Sequence, residues 1–243
     1  MEQTTLQISE ELAQKLALED LNYTQEQLEK SYKSFYNRVV KRVIDFTIAL
    51  VAFIILLPFY LIIGLFIALE TGFPVFYHPV RGGYKGKNFK IYKFRSMVKN
   101  ADQIGGGTTA LNDKRITKVG AFLRKTKLDE IPQLINVLNG TMSFIGPRPE
   151  LLRYTEAYEG LDKNILNVRP GITDFSSAFL INLDEIVGAE NADEMYEKFV
   201  LKKKNQMRLK YVAQVSFGTD MKLFFYTVGC VIKKACRVIF KRK

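Results

Sequence analysis

One long apolar segment, from Val43 to Leu69, constrains the fold more than any other feature of the chain. A helix needs roughly 20 apolar residues to cross the hydrocarbon core of a bilayer, and this segment has about 27. Only Asp45 and Thr47 interrupt it. A buried helix of a soluble protein would normally carry a polar stripe over such a length, so a core helix is the less favoured alternative. The segment also explains a mean hydropathy of -0.04 in a chain with a net charge of +11.

Pro58 lies near the middle of this segment, where it removes a backbone donor and clashes with the carbonyl one turn earlier. The parts on either side of it, residues 43–57 and 59–69, are each too short to span a bilayer. Both flanks are basic, which favours the cytoplasmic side for both ends. We therefore expect a re-entrant helix that enters the membrane, breaks at Pro58 and returns to the cytoplasmic face. A single proline-kinked span is the alternative.

The charge of the chain points to an anionic partner, because 36 Lys and Arg stand against 25 Asp and Glu. Nucleic acid, an anionic membrane surface and a phosphate-bearing substrate all satisfy this excess. The apolar segment and the absence of a known binding motif disfavour nucleic acid. Two Cys and one His exclude a disulfide scaffold and a Cys/His zinc site, and they indicate a reducing compartment.

We divide the chain into four parts. Residues 1–37 form an acidic helical extension, 38–72 the re-entrant membrane helix, and 73–221 a small cytoplasmic catalytic domain. Residues 222–243 repeat apolar positions at helical spacing beside basic ones, which predicts an amphipathic helix on an anionic membrane surface. Packing of this helix on its own domain is the alternative. The predicted fold class is mainly α with minor β, in a monotopic membrane protein.

Within the catalytic part, alternating polar and apolar residues predict a short strand over Phe89–Phe94. Glycines predict a loop over Ile104–Thr108. Two helices are expected to follow, Val119–Lys127 and Glu130–Leu138.

Adjacent Asp129 and Glu130 stand at the start of the second of these helices, with Pro132 tolerated in its first turn. A carboxylate there accepts free backbone N–H groups and meets the positive end of the helix dipole. We therefore expect it to stay ionised, as a nucleophile or a metal ligand. A plain helix cap is the alternative, and the local sequence alone favours that alternative.

Basic residues surround this acidic pair in the sequence. Lys and Arg precede it, Arg148 follows between two prolines that restrict its backbone, and Arg169 precedes a Pro-Gly pair. Guanidinium groups held near carboxylates suit a phosphate-bearing substrate, with a divalent metal bridging carboxylate and phosphate. Any one arginine would more often form a salt bridge or lie at the surface. Their combination with the apolar segment predicts phosphoryl chemistry at a bilayer surface.

From about residue 38 to its end, the chain resembles the small monotopic phosphoglycosyl transferases, the bacterial sugar transferase family. The matching motifs are Lys41–Asp45 with Pro58, Phe89–Met97 (FKIYKFRSM), Phe122–Gln133 (FLRKTKLDEIPQ), Met142–Pro149 (MSFIGPRP) and Val168–Thr173 (VRPGIT). Members of that family transfer a sugar 1-phosphate from a nucleotide diphosphate sugar, usually a UDP-sugar, to a polyprenyl phosphate. The chain departs from many members at Leu57, where they have Ser, and after Thr173, where they continue Gly-Trp-Ala-Gln.

The resemblance implies a covalent route in two steps. Asp129 would attack the sugar-bearing phosphate and expel UMP, and undecaprenyl phosphate would then take the phosphosugar from Asp129. Mg²⁺ near Asp129 and Glu130 would neutralise diphosphate charge. The candidate phosphate-binding residues are Arg148, Arg124, Lys93, Arg95 and Arg169.

The resemblance also implies a place and partners. The chain would lie at the cytoplasmic face of the bacterial inner membrane with both termini cytoplasmic. It would initiate a surface glycan: exopolysaccharide, capsule, O-antigen or glycoprotein glycan. Other glycan-pathway enzymes and a second copy of the chain are further candidate partners, and nucleic acid is not expected. A hypothesis from a different class is a non-catalytic basic membrane-associated scaffold or regulator, in which Asp129 and Glu130 only cap a helix.

Overall fold

The computed structural model describes residues 23–104, 109, 113–176 and 192–240, with backbone only for 192 and 231–240. This part of the chain is mainly helical with short strands, so the predicted fold class is confirmed at that level. The helices are α1 (Gln25–Tyr32), α2 (Lys41–Thr71), α3 (Ala101–Ile104), α4 (Lys118–Thr126), α5 (Gln133–Leu138), α6 (Leu152–Glu156), α7 (Ala192–Met195), α8 (Lys202–Ala213) and α9 (Phe217–Phe240). The strands are β1 (Phe76–Tyr77), β2 (Val80–Gly82), β3 (Asn88–Lys90), β4 (Lys93–Phe94), β5 (Ser143–Ile145) and β6 (Gly171–Thr173). Short stretches of 3₁₀ or π helix cover Tyr36–Val40, Tyr84–Gly86, Leu128–Glu130, Gly160–Asn167 and Tyr196–Leu201.

Helix α2 carries the apolar segment. With the π turn before it, the helix runs for 36 residues, and within the described residues it is the one helix long and apolar enough to cross a membrane. Only 11% of its most apolar stretch is buried, so the alternative of a soluble core helix is wrong. The expected break of the helix at Pro58 is wrong, because α2 continues through this residue without interruption. A proline inside a helix removes one hydrogen bond, which bends a helix without necessarily ending it.

One face of α2 packs on the rest of the protein. The buried residues of the helix recur at helical spacing along its whole length, and they are Lys41, Asp45, Ala49, Tyr60 and Ile67. The other faces expose large apolar side chains, with Leu61 at 72% and Leu69 at 75% of full exposure. An exposed apolar surface of this extent is typical of a lipid contact.

The strands form three separate pairs. β1 pairs with β4 and β2 with β3, both antiparallel, while β5 and β6 are parallel. The single strand predicted over Phe89–Phe94 is therefore divided between β3 and β4. Ile91 and Tyr92 separate the two, and the Tyr92 N–H donates to the Asn136 side chain instead of to a strand.

The predicted helix Val119–Lys127 is confirmed as α4. The predicted helix Glu130–Leu138 is shorter than expected and is present as α5. Lys127 has a left-handed backbone with φ of 62°, and its N–H donates to the carbonyls of Leu123 and Arg124, which ends α4. A 3₁₀ turn over Leu128–Glu130 follows, and α5 begins only after Pro132.

Two apolar clusters hold this turn against the membrane helix. One joins Ala49 of α2 to Leu134 and Val137 of α5. The other joins Tyr60 and Ile67 of α2 to Leu123 of α4 and Phe94 of β4. A third cluster packs α1, α8 and α9 around β5. The turn with Asp129 and Glu130 is thus fixed to α2 through both helices that flank it.

The ends of the chain are described in part. The first 22 residues of the acidic extension lie outside the described residues, and the rest includes α1, which Thr24 and Gln27 cap reciprocally. Of the predicted loop Ile104–Thr108, only Ile104 belongs to the described residues. The predicted C-terminal helix is present as α9, which begins at Phe217, five residues earlier than expected.

Candidate active site

The acidic pair lies between α4 and the strand β4. Thr117 caps α4 by accepting from the Gly120 N–H at 2.9 Å. Gly120 packs so closely on Ser96 that an added Cβ would lie 1.9 Å from the Ser96 carbonyl oxygen. From the other side, the Tyr60 hydroxyl of α2 donates to the Ile131 carbonyl at 2.9 Å. These contacts set the 3₁₀ turn beside β4.

Glu130 is held between two cations. Its Oε1 accepts from Lys93 Nζ at 3.2 Å and from the Arg148 guanidinium. Burial alone would raise the pKa of Glu130, but Arg148 and Lys93 together with Lys127 lower it well below its ordinary value. Burial lowers the pKa of Lys93, against the attraction of Glu130. Glu130 is therefore an ionised carboxylate that binds two elements of the site together.

Asp129 has a different environment. It is only 6% exposed, and in the described part of the chain its Oδ1 is buried without a hydrogen-bond partner. Burial raises the pKa of Asp129, and neighbouring Glu130 raises it further. Lys93, Arg124 and Lys127 lower it only in part, so the pKa of Asp129 stays above its ordinary value, contrary to the expectation from the sequence. Adjacent carboxyl groups whose pKa values are pushed in opposite directions are the pattern of two different chemical roles.

The expectation that Asp129 is stabilised as a capping carboxylate is wrong. Neither the 3₁₀ turn nor α5 has a side-chain cap, because Lys127 and Pro132 occupy the two cap positions. The surrounding cations, and not backbone N–H groups, are what favour the ionised form of Asp129.

Arg148 is fixed on several sides. Besides its contact with Glu130, the guanidinium donates to the Ile172 carbonyl at 2.8 Å, and the Arg148 N–H donates to Asp174 at 3.0 Å. The Glu130 charge raises the pKa of Arg148. Asp174 is fully buried and also accepts from Ser176. Sequence reasoning did not single out Asp174, which lies 26 residues from Arg148.

Of the other predicted phosphate-binding residues, some lie near the acidic pair and some do not. Arg124 lies close enough to Asp129 to lower its pKa, and it donates to Thr109 at 2.7 Å. Arg95 is buried, and its guanidinium donates to Thr71 and to the Gly72 carbonyl at the end of α2. Arg169 donates to the Gly140 carbonyl at 3.1 Å and lies over the Tyr84 ring. The structure thus brings Lys93, Arg124 and Arg148 to the acidic pair, and it gives Arg95 and Arg169 other contacts.

A second buried charge cluster supports the loop that carries Arg148. Glu150, two residues after Arg148, accepts from Tyr196, from Lys204 at 3.0 Å and from Arg208. We call these four residues the Glu150 cluster. Arg208 is completely buried. The pattern of the sequence does not reveal this cluster, because its members come from separate segments.

The chemistry of the acidic pair fits a magnesium ion in part. Mg²⁺ prefers oxygen ligands and is usually bound by one or two carboxylates together with substrate phosphates. Asp129 and Glu130 supply two carboxylates, and Asp129 Oδ1 is buried without a partner in the described structure. In the part of the chain that the structure describes, no group of three or more His, Cys, Asp or Glu side chains could hold a metal. Substrate oxygens would therefore have to complete the coordination.

Comparison with known proteins gives the following matches. A family described as bacterial sugar transferase matches residues 36–234. The UDP-glucose:undecaprenyl-phosphate glucose-1-phosphate transferase of Escherichia coli (strain K12) is 38% identical over 205 residues, which cover 82% of this chain and 42% of that protein. The UDP-N-acetylgalactosamine-undecaprenyl-phosphate N-acetylgalactosaminephosphotransferase of Aeromonas hydrophila is 36% identical over 232 residues, 93% of this chain and 51% of that protein. An uncharacterized sugar transferase of Bacillus subtilis (strain 168) is 35% identical over 198 residues, 80% of this chain and 88% of that protein. The chain thus spans about half the length, or less, of the first two relatives and most of the third.

Proposed function

Because the chain belongs to the bacterial sugar transferase family, we propose that it is a phosphoglycosyl transferase that moves a sugar 1-phosphate from a UDP-sugar to undecaprenyl phosphate. The names of the E. coli and Aeromonas relatives support the donor and the acceptor. The observation that carries the proposal is Asp129, a buried carboxylate with an unpartnered oxygen among the described residues, close to three cationic side chains.

The reaction proceeds in two displacements at the same phosphorus. An Asp129 carboxylate oxygen attacks the phosphorus that bears the sugar, and the bond from this phosphorus to the bridging oxygen breaks. UMP leaves with the electron pair of that bond, and the sugar phosphate stays on Asp129. A phosphate oxygen of undecaprenyl phosphate then attacks this phosphorus. The carboxylate of Asp129 is released, and the product is a sugar linked to the lipid through a diphosphate.

The neighbouring residues have separate parts in this proposal. Glu130 keeps Lys93 and Arg148 in place, so that their charges lie beside the reacting phosphate. Arg124 adds positive charge on the side of Asp129. Asp129 and Glu130 would hold Mg²⁺ together with substrate oxygens, and a bound Mg²⁺ neutralises diphosphate charge.

Contacts along α2 support a helix whose two ends lie at the same membrane face. At its start, Lys41 binds Asp220 of α9 at 2.5 Å. At its end, Glu70 accepts from the Lys118 and Val119 N–H groups of α4. A straight helix of 31 residues would be about 46 Å long, more than the roughly 30 Å of hydrocarbon. A straight crossing would draw the charged site between these contacts into lipid, whereas a helix bent at Pro58 would leave it at the surface.

The basic residues that flank α2 indicate which membrane face this is, because positive charge beside a membrane segment favours the cytoplasmic side. We place the catalytic domain and both termini at the cytoplasmic face of the bacterial inner membrane, where the product would begin a surface glycan. Helix α9 supports this as a second membrane contact, because Phe225 is 68% and Tyr226 is 47% exposed on it. Apolar side chains exposed on a helix with basic residues suit an anionic interface.

Release of UMP tests the proposal. The purified chain in detergent is incubated with undecaprenyl phosphate, Mg²⁺ and a panel of UDP-sugars that includes UDP-glucose and UDP-N-acetylgalactosamine. We expect Asp129→Asn to lower UMP release by about a thousandfold or more, because the nucleophile is lost. Asp102→Asn, the same change at an exposed carboxylate outside the site, should leave the rate unchanged. Equal release by the native chain and Asp129→Asn, or none from either with any donor, would favour the non-catalytic scaffold.

A further inference from the structure

A second polar group near Asp129 also lacks a partner. Gln133, the first residue of α5, is only 1% exposed, and within the described structure its Nε2 has no hydrogen-bond acceptor. Buried polar groups are nearly always hydrogen-bonded, so an amide without an acceptor calls for an explanation. The unpartnered Oδ1 of Asp129 lies four residues earlier. Two unsatisfied polar groups in consecutive turns indicate a ligand between or beside them.

The backbone places Gln133 on the reacting side of α5. Ile131 and Pro132 both have right-handed helical conformations, so the chain from the 3₁₀ turn into α5 is one continuous coil. In this stretch the Glu130 N–H donates to the Lys127 carbonyl and the Ile131 N–H to the Leu128 carbonyl, the bonding pattern of a 3₁₀ helix. Residues three apart then share a face, which puts Gln133 above Glu130, whose carboxylate contacts Lys93 and Arg148. Asn136, three residues further on, binds the Lys90 carbonyl and the Tyr92 N–H. Gln133 therefore lies on the face directed at the segment that leads into Lys93, while Leu134 and Val137 face α2.

The chemistry of the two groups selects the ligand. An amide Nε2 carries two hydrogens and only donates, so its missing partner is an acceptor. The non-bridging oxygens of a phosphoryl group are acceptors. An amide also adds no charge, which suits a site where Lys93, Arg124 and Arg148 already supply positive charge.

We propose that Gln133 is a further catalytic residue, whose side-chain amide donates to a non-bridging oxygen of the phosphoryl group as it is transferred to and from Asp129. The inference rests on the proposed function and adds a residue to it. In the substrate-free protein the amide is unsatisfied, and it gains its partner only with the phosphoryl group. This hydrogen bond accelerates the transfer because it is stronger to the phosphoryl oxygen in the transition state than in the complex with bound UDP-sugar.

The Gln133→Leu variant separates catalysis from structure. It keeps a similar side-chain volume and removes the amide, so we expect the melting temperature without substrate to stay the same or rise by about 2–4 °C. We expect UMP release to fall by about 10- to 100-fold, with a smaller change in KM for the UDP-sugar. Asn164→Leu is the matched control, since Asn164 is a buried amide bonded to Gln25 and the Leu161 carbonyl. That variant should lower the melting temperature and leave the rate per folded molecule unchanged.

The outcomes are distinct. A slow Gln133→Leu variant that melts no lower than the native chain supports the proposal. A variant that releases UMP at the native rate overturns it, while the loss in Asp129→Asn still upholds the transferase. A slow variant that melts several degrees lower also overturns it, because Gln133 then only supports the fold. A native chain that releases no UMP from any donor refutes the transferase itself, and the role of Gln133 falls with it.

Discussion

Replacing Glu150 with Gln tests whether the Glu150 cluster stabilises the loop that carries Arg148. The carboxylate accepts from Tyr196, Lys204 and Arg208, and all four side chains are buried. Gln keeps the shape of the side chain but removes its charge, which leaves two cations facing each other away from water. Removing one partner of a buried ion pair costs about 3–5 kcal/mol. For a chain of this size, that corresponds to a fall in melting temperature of about 6–20 °C.

Thermal unfolding in detergent, followed by circular dichroism, measures this fall. Glu29→Gln is the matched control, because Glu29 pairs with Lys33 at the surface and its loss should leave the melting temperature unchanged. A double variant, Glu150→Gln with Lys204→Met, should recover part of the loss because it removes one of the uncompensated charges. A Glu150→Gln variant that melts with the native chain would refute the reasoning.

The difference in stability between the native chain and Glu150→Gln should depend on pH. Burial alone would raise the pKa of Glu150, but Lys204 and Arg208 lower it below its ordinary value. A carboxyl group whose pKa is lowered by folding stabilises the protein above its unfolded pKa, about 4.3, and this stability is lost as the pH falls. The difference in melting temperature between the native chain and Glu150→Gln should therefore be constant from about pH 6 to 8 and become smaller below about pH 4. A difference that stays the same down to pH 3 would contradict this assignment of charge.

Three further predictions concern the site and the membrane helix. Lys93→Met should lower UMP release by about tenfold or more, since it removes a cation from Glu130, whereas Lys90→Met on the neighbouring strand should not change it. Arg95→Met should lower the melting temperature more than it changes KM for the UDP-sugar, because Arg95 binds the end of α2; the reverse result would restore it as a phosphate-binding residue. Tags at Met1 and Lys243 should both be accessible from the cytoplasm only, and an external N-terminal tag would refute the bent helix without touching the chemistry.

Parts of the fold that depend on local pattern were predictable from the sequence. The apolar segment, α4 and the mainly helical character follow from composition and spacing within short windows. At Pro58 the break was favoured over the kinked helix and was wrong, because the sequence pattern of a proline in a helix is compatible with both a break and a bend. The left-handed Lys127 that divides the second helix was missed as well, since a non-glycine residue gives little sign of a positive φ.

The candidate site was predictable in its residues and not in its geometry. Asp129, Glu130 and Arg148 were identified from the motif series, but the direction of the Asp129 pKa depends on burial and on cations from other segments. The Glu150 cluster was missed because its contacts join residues 46 to 58 positions apart. Gln133 stood inside a recognised motif, yet only the structure shows that its amide is buried without an acceptor among the described residues.

The central claim, a phosphosugar carried on Asp129, is tested most directly by trapping it. The native chain is incubated with its UDP-sugar and Mg²⁺ in the absence of undecaprenyl phosphate, quenched, digested and analysed by mass spectrometry. We predict that the peptide containing Asp129 gains the mass of one sugar phosphate, that Asp129→Asn does not, and that undecaprenyl phosphate removes the adduct. Transfer to the lipid without such an adduct, or an adduct on another residue, would contradict the account.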